Sequence, residues 1–266
     1  MRLSPHMIHS LRLLWQFTLR GIETRYKGSL LGPLWIVLSP LLTLSLYVFI
    51  FGYVFNGRFG VLPDESRTDY VLALFLGLNM IQFFSEVLAN APRAILGSPN
   101  LVKKVVFPLP VLPCAQVGIA LFGHMISTVL LLIGVLFLGH GLSWYLLLWP
   151  VVLLPVVLMG LGLAFVLSSV GAYMRDISQM TGFLTLILMY TSAVFYPISK
   201  IHDTFIWSFL KFNPLLHAIE LSRHAVVWGL PPNWLALLAL YATGVLALLG
   251  GWIVFKKLRI GFADVL

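Results

Sequence analysis

Charged residues are scarce in this sequence. Asp, Glu, Lys and Arg make up 10% of its 266 residues, whereas 60% are hydrophobic and the mean hydropathy is +0.98. A soluble domain typically carries about a quarter charged residues, and a water-soluble protein of this length could not bury so much apolar surface. The composition therefore indicates an integral membrane protein. No polar segment is longer than the N-terminal arm, residues 1–33, so we expect no separate soluble domain.

Cysteine is almost absent as well. Cys114 is the single cysteine, which excludes an intrachain disulfide, and we interpret it as a small apolar packing residue. We expect no cleavable signal peptide, because the basic N-terminal arm is not followed directly by a short apolar stretch and a small-residue cleavage site.

Motifs for nucleotide, zinc and hydrolase chemistry are missing. Segment 28–32 has neither the spacing nor the lysine of a phosphate-binding loop, and neither an H-E-x-x-H pair nor a G-x-S-x-G elbow occurs. His217 and His224 are seven apart on an outer loop and are interpreted as a polar face. Among the carboxylates, only Glu86 lies clearly within a hydrophobic stretch, which argues against an intramembrane enzyme. We expect no cofactor on this chain, so any ATP and magnesium would be bound by another chain.

Six hydrophobic stretches fill most of the chain. A helix that crosses a hydrocarbon core of ~30 Å needs about 20 mainly apolar residues, and only the fifth stretch is short. The fold predicted is therefore all-α and integral to the membrane, with six transmembrane helices. The predicted spans are residues 34–55, 70–90, 109–138, 146–173, 181–196 and 234–255.

Positive charge is distributed unequally between the two sides of these spans. Twelve of the 17 lysines and arginines fall on one side and five on the other. The positive-inside rule then places both termini in the cytoplasm. The net charge of +8 arises mostly from this bias, so it indicates no nucleic-acid partner.

An amphipathic helix is predicted before the first span. Ser4 and Pro5 give an N-cap and a first-turn proline, and apolar residues then recur at helical spacing. We expect this helix to lie in the cytoplasmic interface, either as a membrane anchor or as a docking surface for a cytoplasmic partner. Residues 1–33 would form this arm, 34–255 the six-span bundle and 256–266 a cytoplasmic tail, all in a single transmembrane domain of residues 1–266.

The end of the first span is rich in aromatic residues. Tyr47, Phe51 and Phe55 share one helical face. Aromatic residues are common at the headgroup level of a membrane. The three aromatic residues of this chain therefore form either such a belt or a stacking surface for sugar rings.

A polar stripe runs along the second span. Asn79, Gln82, Glu86 and Asn90 follow one another at spacings of three and four. Intramembrane polar groups usually face a bundle interior or a water-filled cavity, so the stripe is either a polar path or a set of interhelical hydrogen bonds. Glu86 has a further alternative, a structural ion pair with Arg93.

Hydroxyl groups lie on one face of the fifth span. Thr185, Ser192 and Tyr196 could line the same polar path, although hydroxyls also satisfy a helical backbone locally. The loop that follows is too apolar for an ordinary extracellular loop. Asn213 and Pro214 begin a helix in it and Gly229 ends that helix, so we expect two short re-entrant outer helices between spans five and six.

Four motifs carry a resemblance that covers essentially the whole chain. They are residues 25–35 (RYKGSLLGPLW), 175–177 (RDI), 195–197 (FYP) and 213–215 (NPL). In this order and with these spans, the chain resembles the permeases of the ABC-2 family, above all those that export O-antigen, capsule or teichoic acid. The resemblance implies a bacterial inner-membrane homodimer, surrounded by membrane lipids, with two copies of a cytoplasmic ABC ATPase and a lipid-linked polysaccharide as cargo.

The resemblance also implies roles for particular residues. Contacts to the ATPase are expected from Arg93, Lys103, Lys104, Arg175 and Asp176. An outer gate is expected from Phe205, Trp207, Phe209, Asn213, Pro214 and Trp228. Channel lining is expected from Tyr47, Phe51, Phe55, Asn79, Gln82, Phe83, Glu86, Thr185, Ser192 and Tyr196.

Arg20, Arg25 and Lys27 lie where a lipid diphosphate headgroup would approach. They equally satisfy the positive-inside rule with no ligand. The first hypothesis is therefore export of an undecaprenyl-diphosphate-linked polysaccharide of the O-antigen type. The alternatives are a drug or lipid exporter of the same fold, and a membrane-embedded glycosyl or acyl transferase.

Overall fold

Helices make up most of the computed structural model, which describes residues 5–55, 57–103, 107–139 and 141–265. No strand occurs in those residues, in agreement with the predicted all-α class. The helices are α1 (Pro5–Tyr26), α2 (Trp35–Tyr47), α3 (Arg67–Asn90), α4 (Pro99–Lys103), α5 (Val111–Leu138), α6 (Trp149–Tyr173), α7 (Ile177–Thr191), α8 (Trp207–Leu210), α9 (Pro214–Arg223), α10 (Trp234–Leu258) and α11 (Phe262–Val265).

Five of the predicted spans are confirmed as apolar helices long enough to cross a membrane. Short helical turns lengthen several of them, so that the continuous helical segments are Gly32–Val54, Arg67–Arg93, Val111–Leu138, Trp144–Tyr173 and Trp234–Val265. The fifth predicted span differs, because α7 has 15 residues and ends at Thr191. Beyond it Ala193 adopts a φ of 52°, a left-handed conformation that ends a helix.

The N-terminal helix α1 is present and crosses α5 closely. A Cβ on Gly21 would collide with Ile119, and one on Gly118 would come within 2.8 Å of the hydroxyl of Thr18. These glycines let the two helices approach, so α1 is fixed against the bundle. Trp15 is 64% exposed and leaves an apolar surface for lipid or a partner. Ser4, the predicted N-cap, lies outside the described residues.

Helix α3 forms the centre of the bundle. It begins in a capping box, in which Ser66 and Asp69 each bond the other's backbone N–H. Sixteen of its residues are buried. They form a nearly continuous surface rather than a single stripe, because α5, α6, α7 and α9 all pack around the helix.

Helices α6 and α10 form the closest pair in the bundle. A Cβ on Gly251 would collide with the backbone of Gly162, and one on Gly162 with the backbone of Ala247. Small residues at such a crossing permit backbone contact, which drives helix association in a membrane. Ala247 and Gly251 therefore serve the packing of these two helices.

The segments predicted to be cytoplasmic gather at one end of the bundle. Pro92, at the end of α3, packs against Gly171 near the end of α6. The hydroxyl of Tyr173 donates to the carbonyl of Leu258 at 2.7 Å, and Phe262 in α11 is fully buried. The predicted tail is thus helical and packed in the part that the structure describes.

The two predicted outer helices are present as α8 and α9. The side-chain oxygen of Asn213 accepts from the N–H of Leu215, which confirms the predicted cap, and Gly229 ends the segment at a φ of 61°. Helix α9 is largely buried against α3, α6 and α10, whereas α8 has no buried residue. Their re-entrant depth in a membrane stays a prediction.

Candidate functional site

A cavity of about 220 Å³ lies among α1, α2, α3, α5 and α7, and we call it the bundle cavity. Five helices surround it, so side chains far apart in sequence meet there. Its walls contain five of the predicted path residues: Tyr47, Asn79, Gln82, Glu86 and Thr185.

Asn79 satisfies both interpretations of the polar stripe. Its side-chain amide donates to the carbonyl of His124 at 3.2 Å and to the hydroxyl of Thr128 at 3.0 Å. These bonds join α3 to α5. Since Asn79 also borders the bundle cavity, hydrogen bonding between helices and a polar wall are not exclusive at this position.

Glu86 forms a bidentate ion pair with Arg25. Nη1 and Nη2 of Arg25 donate to the two carboxylate oxygens at 2.8 and 2.9 Å, an arrangement among the strongest side-chain contacts. This hydrogen bond is the main cause of a raised pKa for Arg25, which keeps the guanidinium charged. The alternative pairing of Glu86 with Arg93 is wrong, because α1 brings Arg25 to the carboxylate and Arg93 is exposed.

A second cavity, of about 960 Å³, opens between α1, the segment after α3 and the start of α5. We call it the vestibule. Arg20, Asn90, Asn100 and Gln116 give it a polar wall, and Arg25 lines both the vestibule and the bundle cavity. The polar stripe of α3 therefore runs from one cavity to the other, with Glu86 in the first and Asn90 in the second.

An aromatic row continues from the bundle cavity along the end of the helical segment Gly32–Val54. The ring of Phe51 lies 5.8 Å from that of Tyr47, 5.7 Å from that of Phe55 and 4.9 Å from that of Phe195. Tyr190 adds a ring 5.9 Å from Phe195. Three rings were predicted from helical spacing, whereas Phe195 and Tyr190 join the row only because α7 packs beside α3 and its C-terminal segment turns toward α2.

The family model of the ABC-2 type transporter matches residues 12–227. That range covers most of the chain and includes the greater part of α1 and all of α2 to α9. The chain belongs to the ABC-2 type transporter family. It is accordingly a membrane permease with several apolar helices.

Two relatives of the permease are O-antigen export system permease proteins. RfbA of Klebsiella pneumoniae is 29% identical over 259 residues, covering 96% of this chain and 95% of the relative. RfbA of Myxococcus xanthus is 28% identical over 266 residues, covering 97% and 99%. The polysialic acid transport protein KpsM of Escherichia coli is 30% identical over 216 residues, covering 79% and 80%.

Three other predicted lining residues of the permease lie away from the bundle cavity. Phe83 is 1% exposed and its ring faces Gly160 in α6. Ser192 is fully buried and accepts a hydrogen bond from the amide of Asn213. Tyr196 is half-buried, and its hydroxyl donates to the carbonyl of Tyr190 at 2.6 Å.

The predicted headgroup residues differ in their surroundings. Arg25 is engaged with Glu86, whereas Arg20 and Lys27 are exposed, and Arg20 borders the vestibule. An arginine free to reach into the vestibule has room for an anionic group. Their role in binding a diphosphate stays a prediction.

The predicted ATPase-coupling residues lie near one another only in part. Arg93, Lys103, Arg175 and Asp176 are all exposed, and contacts of the turn that holds Arg93 with α6 and α7 bring it near Arg175 and Asp176. Lys104 lies outside the described residues. Exposed charges next to adjoining helix ends are suited to contact with another protein.

The predicted outer-gate residues divide into two groups. Phe205 and Phe209 are 79% and 66% exposed, and their rings contact each other; Trp207 is half-buried beside them. Trp228 is buried, 5.9 Å from the ring of Phe59. Asn213 and Pro214 form the joint between the exposed α8 and the buried α9.

Arg223 is an important residue that sequence reasoning missed. It is fully buried, and its guanidinium donates to the carbonyls of Ala73, Ala193 and Val194 at 3.0, 3.0 and 2.7 Å. It also lies 4.2 Å from the ring of Phe59. Burial lowers its pKa to about 10, so it stays charged at neutral pH. An arginine within an apolar helix was the available signal.

Proposed function

We propose that this permease is the transmembrane subunit of an ATP-driven exporter that moves an undecaprenyl-diphosphate-linked polysaccharide of the O-antigen type across the bacterial inner membrane. The observation that supports this most is the aromatic row beside a polar cavity, in a chain related over nearly its full length to O-antigen export permeases. ATP and magnesium would be bound by a separate ATPase subunit.

The aromatic row suits a polymer of sugars. Apolar faces of sugar rings bind aromatic rings through dispersion and burial of C–H groups, and such contacts do not require one particular linkage. The ring of Phe51 contacts those of Tyr47, Phe55 and Phe195. A row of similar rings would hold successive sugars weakly, so a chain could advance from ring to ring.

The exporter would contain two copies of this chain and two ATPase subunits. The segment Gly32–Val54, which contains α2, favours a second copy as partner. Its most apolar 18 residues include no buried residue, so they need either lipid or protein against them. In this arrangement α7 completes six spans despite its 15 residues, both termini are cytoplasmic, and Arg93, Lys103, Lys104, Arg175 and Asp176 face the ATPases.

Gene deletion tests the proposed export. The expected result is loss of surface polysaccharide together with accumulation of its lipid-linked precursor in the cytoplasmic leaflet, both measured on gels after cell fractionation. Restoration by the wild-type gene is the control. An unchanged precursor pool would contradict the proposal, and an unchanged surface glycan together with altered drug or lipid export would favour the alternative exporter.

A further inference from the structure

The ion pair between Arg25 and Glu86 occupies the boundary between the two cavities. Arg25 borders both the vestibule and the bundle cavity, while Glu86 borders the bundle cavity. The pair also joins α1 to α3, two helices that are distant in sequence. Any anion that moved from the vestibule into the bundle cavity would meet this pair.

The two partners are unequally accessible. The side chain of Arg25 is 42% exposed, whereas that of Glu86 is 11% exposed. An anion in the vestibule can therefore reach the guanidinium before the carboxylate. Arg20 borders the same vestibule and adds positive charge, so an anion is attracted to this end of the pair.

A diphosphate can compete with Glu86 for Arg25. Its oxygens match the planar fork of a guanidinium as well as a carboxylate does, and it carries more negative charge than one carboxylate. Gln82 already lies 3.4 Å from the Oε1 atom of Glu86. That amide remains available to the carboxylate after Arg25 has turned away.

The pair can open by movement of the Arg25 side chain alone. Gly21 and Arg25 lie in the same helix, so the close contact of Gly21 with Ile119 holds the backbone of Arg25 in place. The turn that follows is open, since a Cβ on Gly28 or Gly32 would meet no atom within 4 Å. The long side chain of Arg25, which is 42% exposed, therefore has room to rotate away from Glu86.

We propose that the Arg25–Glu86 ion pair is a latch between the vestibule and the bundle cavity, and that a diphosphate group on a lipid carrier opens it by taking Arg25 from Glu86. This inference rests on the proposed export function, which supplies such a substrate. In the closed latch Glu86 holds Arg25 across the passage. In the open latch Arg25 binds the diphosphate, and the passage between the cavities is free.

Thiol accessibility measures the opening of this latch. Replacement of the single cysteine by Cys114→Ala gives a cysteine-free chain, and Ser85→Cys then places a reporter in the wall of the bundle cavity. The full-length protein is labelled in inside-out membrane vesicles from cells that lack the lipid-linked glycan. A charged, membrane-impermeant thiol reagent reaches it from the vestibule side.

Farnesyl diphosphate is the probe, with farnesol and inorganic diphosphate as comparisons. If the open state is populated at about one part in ten without ligand, the probe raises the labelling rate about tenfold. A response to farnesyl diphosphate alone assigns recognition to a lipid-linked diphosphate. An equal response to inorganic diphosphate supports the latch but overturns the lipid requirement. An equal response to farnesol, or no response to either diphosphate, overturns the latch.

Two variants test the pair itself. Glu86→Gln frees Arg25, so we expect fast labelling without ligand and little further increase with it. Arg25→Gln removes the group that would bind the diphosphate, so labelling should be fast and should not respond to the probe. Arg12→Gln is its matched control, since it removes the same charge on the same helix but outside both cavities; it should keep the normal response. The ligand comparisons use the intact pair, so they decide the matter even if Glu86→Gln does not fold.

The latch and the export function can fail separately. Precursor accumulation after gene deletion, combined with labelling that ignores diphosphate, would retain export and overturn the latch. A diphosphate response combined with an unchanged precursor pool would retain the latch and overturn polysaccharide as the cargo.

Discussion

Replacement of the buried Arg223 by methionine should destabilise the outer end of the bundle severely. Its guanidinium binds carbonyls of α3 and of the irregular segment after α7. Methionine has a similar length but donates no hydrogen bond, so these carbonyls would be left buried without that partner. Ala193 would then lose one of the contacts that accompany its left-handed φ of 52°.

The magnitude follows from the number of bonds lost. A hydrogen bond to a charged group contributes about 1.5–3 kcal/mol, and a carbonyl buried without a partner costs about 1–3 kcal/mol. Burial of the guanidinium itself offsets part of this gain, as the lowered pKa of Arg223 indicates. The free energy of unfolding should therefore fall by about 3–5 kcal/mol, the usual loss when a buried charged contact is broken.

Thermal unfolding of the purified full-length protein in detergent provides the assay. A loss of this size should lower Tm by about 10 °C. Arg223→Lys should lose roughly half as much, because an ammonium group retains the charge but lacks the planar fork that reaches several carbonyls. Arg58→Met is the control, since Arg58 is an exposed arginine in the segment between α2 and α3.

Similar Tm values for Arg223→Met and Arg58→Met would refute this reasoning. They would mean that the carbonyls find other partners, and that the three hydrogen bonds contribute nothing to the outer structure. A smaller loss for Arg223→Met than for Arg223→Lys would refute the view that hydrogen bonding, rather than relief of a buried charge, dominates.

Three further predictions concern packing, protonation and transport. Gly251→Ala should cost about 1–3 kcal/mol in detergent melting experiments because its Cβ would collide with the α6 backbone, whereas Gly250→Ala, whose Cβ meets nothing within 4 Å, should be neutral or slightly stabilising. The pKa of His224 is raised above its usual value, mainly by the carboxylate of Glu220, whose Oε1 lies 3.7 Å from its Nε2; this contribution is present below pH 6.5 and lost as pH rises through the raised pKa, so His224→Gln should lower Tm more at pH 5.5 than at pH 8.5. Phe51→Ala should slow polysaccharide export about two- to tenfold at unchanged protein level, measured by surface-glycan appearance, whereas an equal effect of Phe49→Ala, an exposed residue without a ring contact in the described row, would argue against a specific aromatic path.

Local sequence signals predicted the helices well. The hydrophobic stretches, the cap at Asn213 and the terminating Gly229 all depend on residues within one turn of each other, so the sequence carries them directly. The end of α7 was misplaced by five residues because the hydrophobic pattern continues past Thr191. The chain leaves the helix after Thr191, where the carbonyls of Ala193 and Val194 accept hydrogen bonds from Arg223 of α9. Arg223 is about 30 residues further along the chain, so no local pattern shows this contact.

The site was predicted as single residues rather than as an arrangement. Helical spacing correctly grouped Asn79, Gln82 and Glu86. Arg25 was predicted separately, as one of the basic residues near a lipid diphosphate headgroup. Spacing along one helix gave Arg93, seven residues beyond Glu86, as an alternative partner, since periodicity shows only neighbours along the same helix. The pairing with Arg25 depends on how α1 crosses α5 at Gly21 and Gly118, which no local pattern encodes.

The sequence by itself determined that this chain lies in a membrane, where its apolar helices begin, and to which family it is similar, because composition, hydrophobic length and motif order are properties of the chain read in one direction. Only the tertiary structure decided that Arg25 closes on Glu86, that Arg223 binds three backbone carbonyls, and that Phe195 completes the aromatic row. Each of these contacts joins segments that are distant in the chain, so its geometry is set by how those segments pack and not by the neighbours of either residue in sequence.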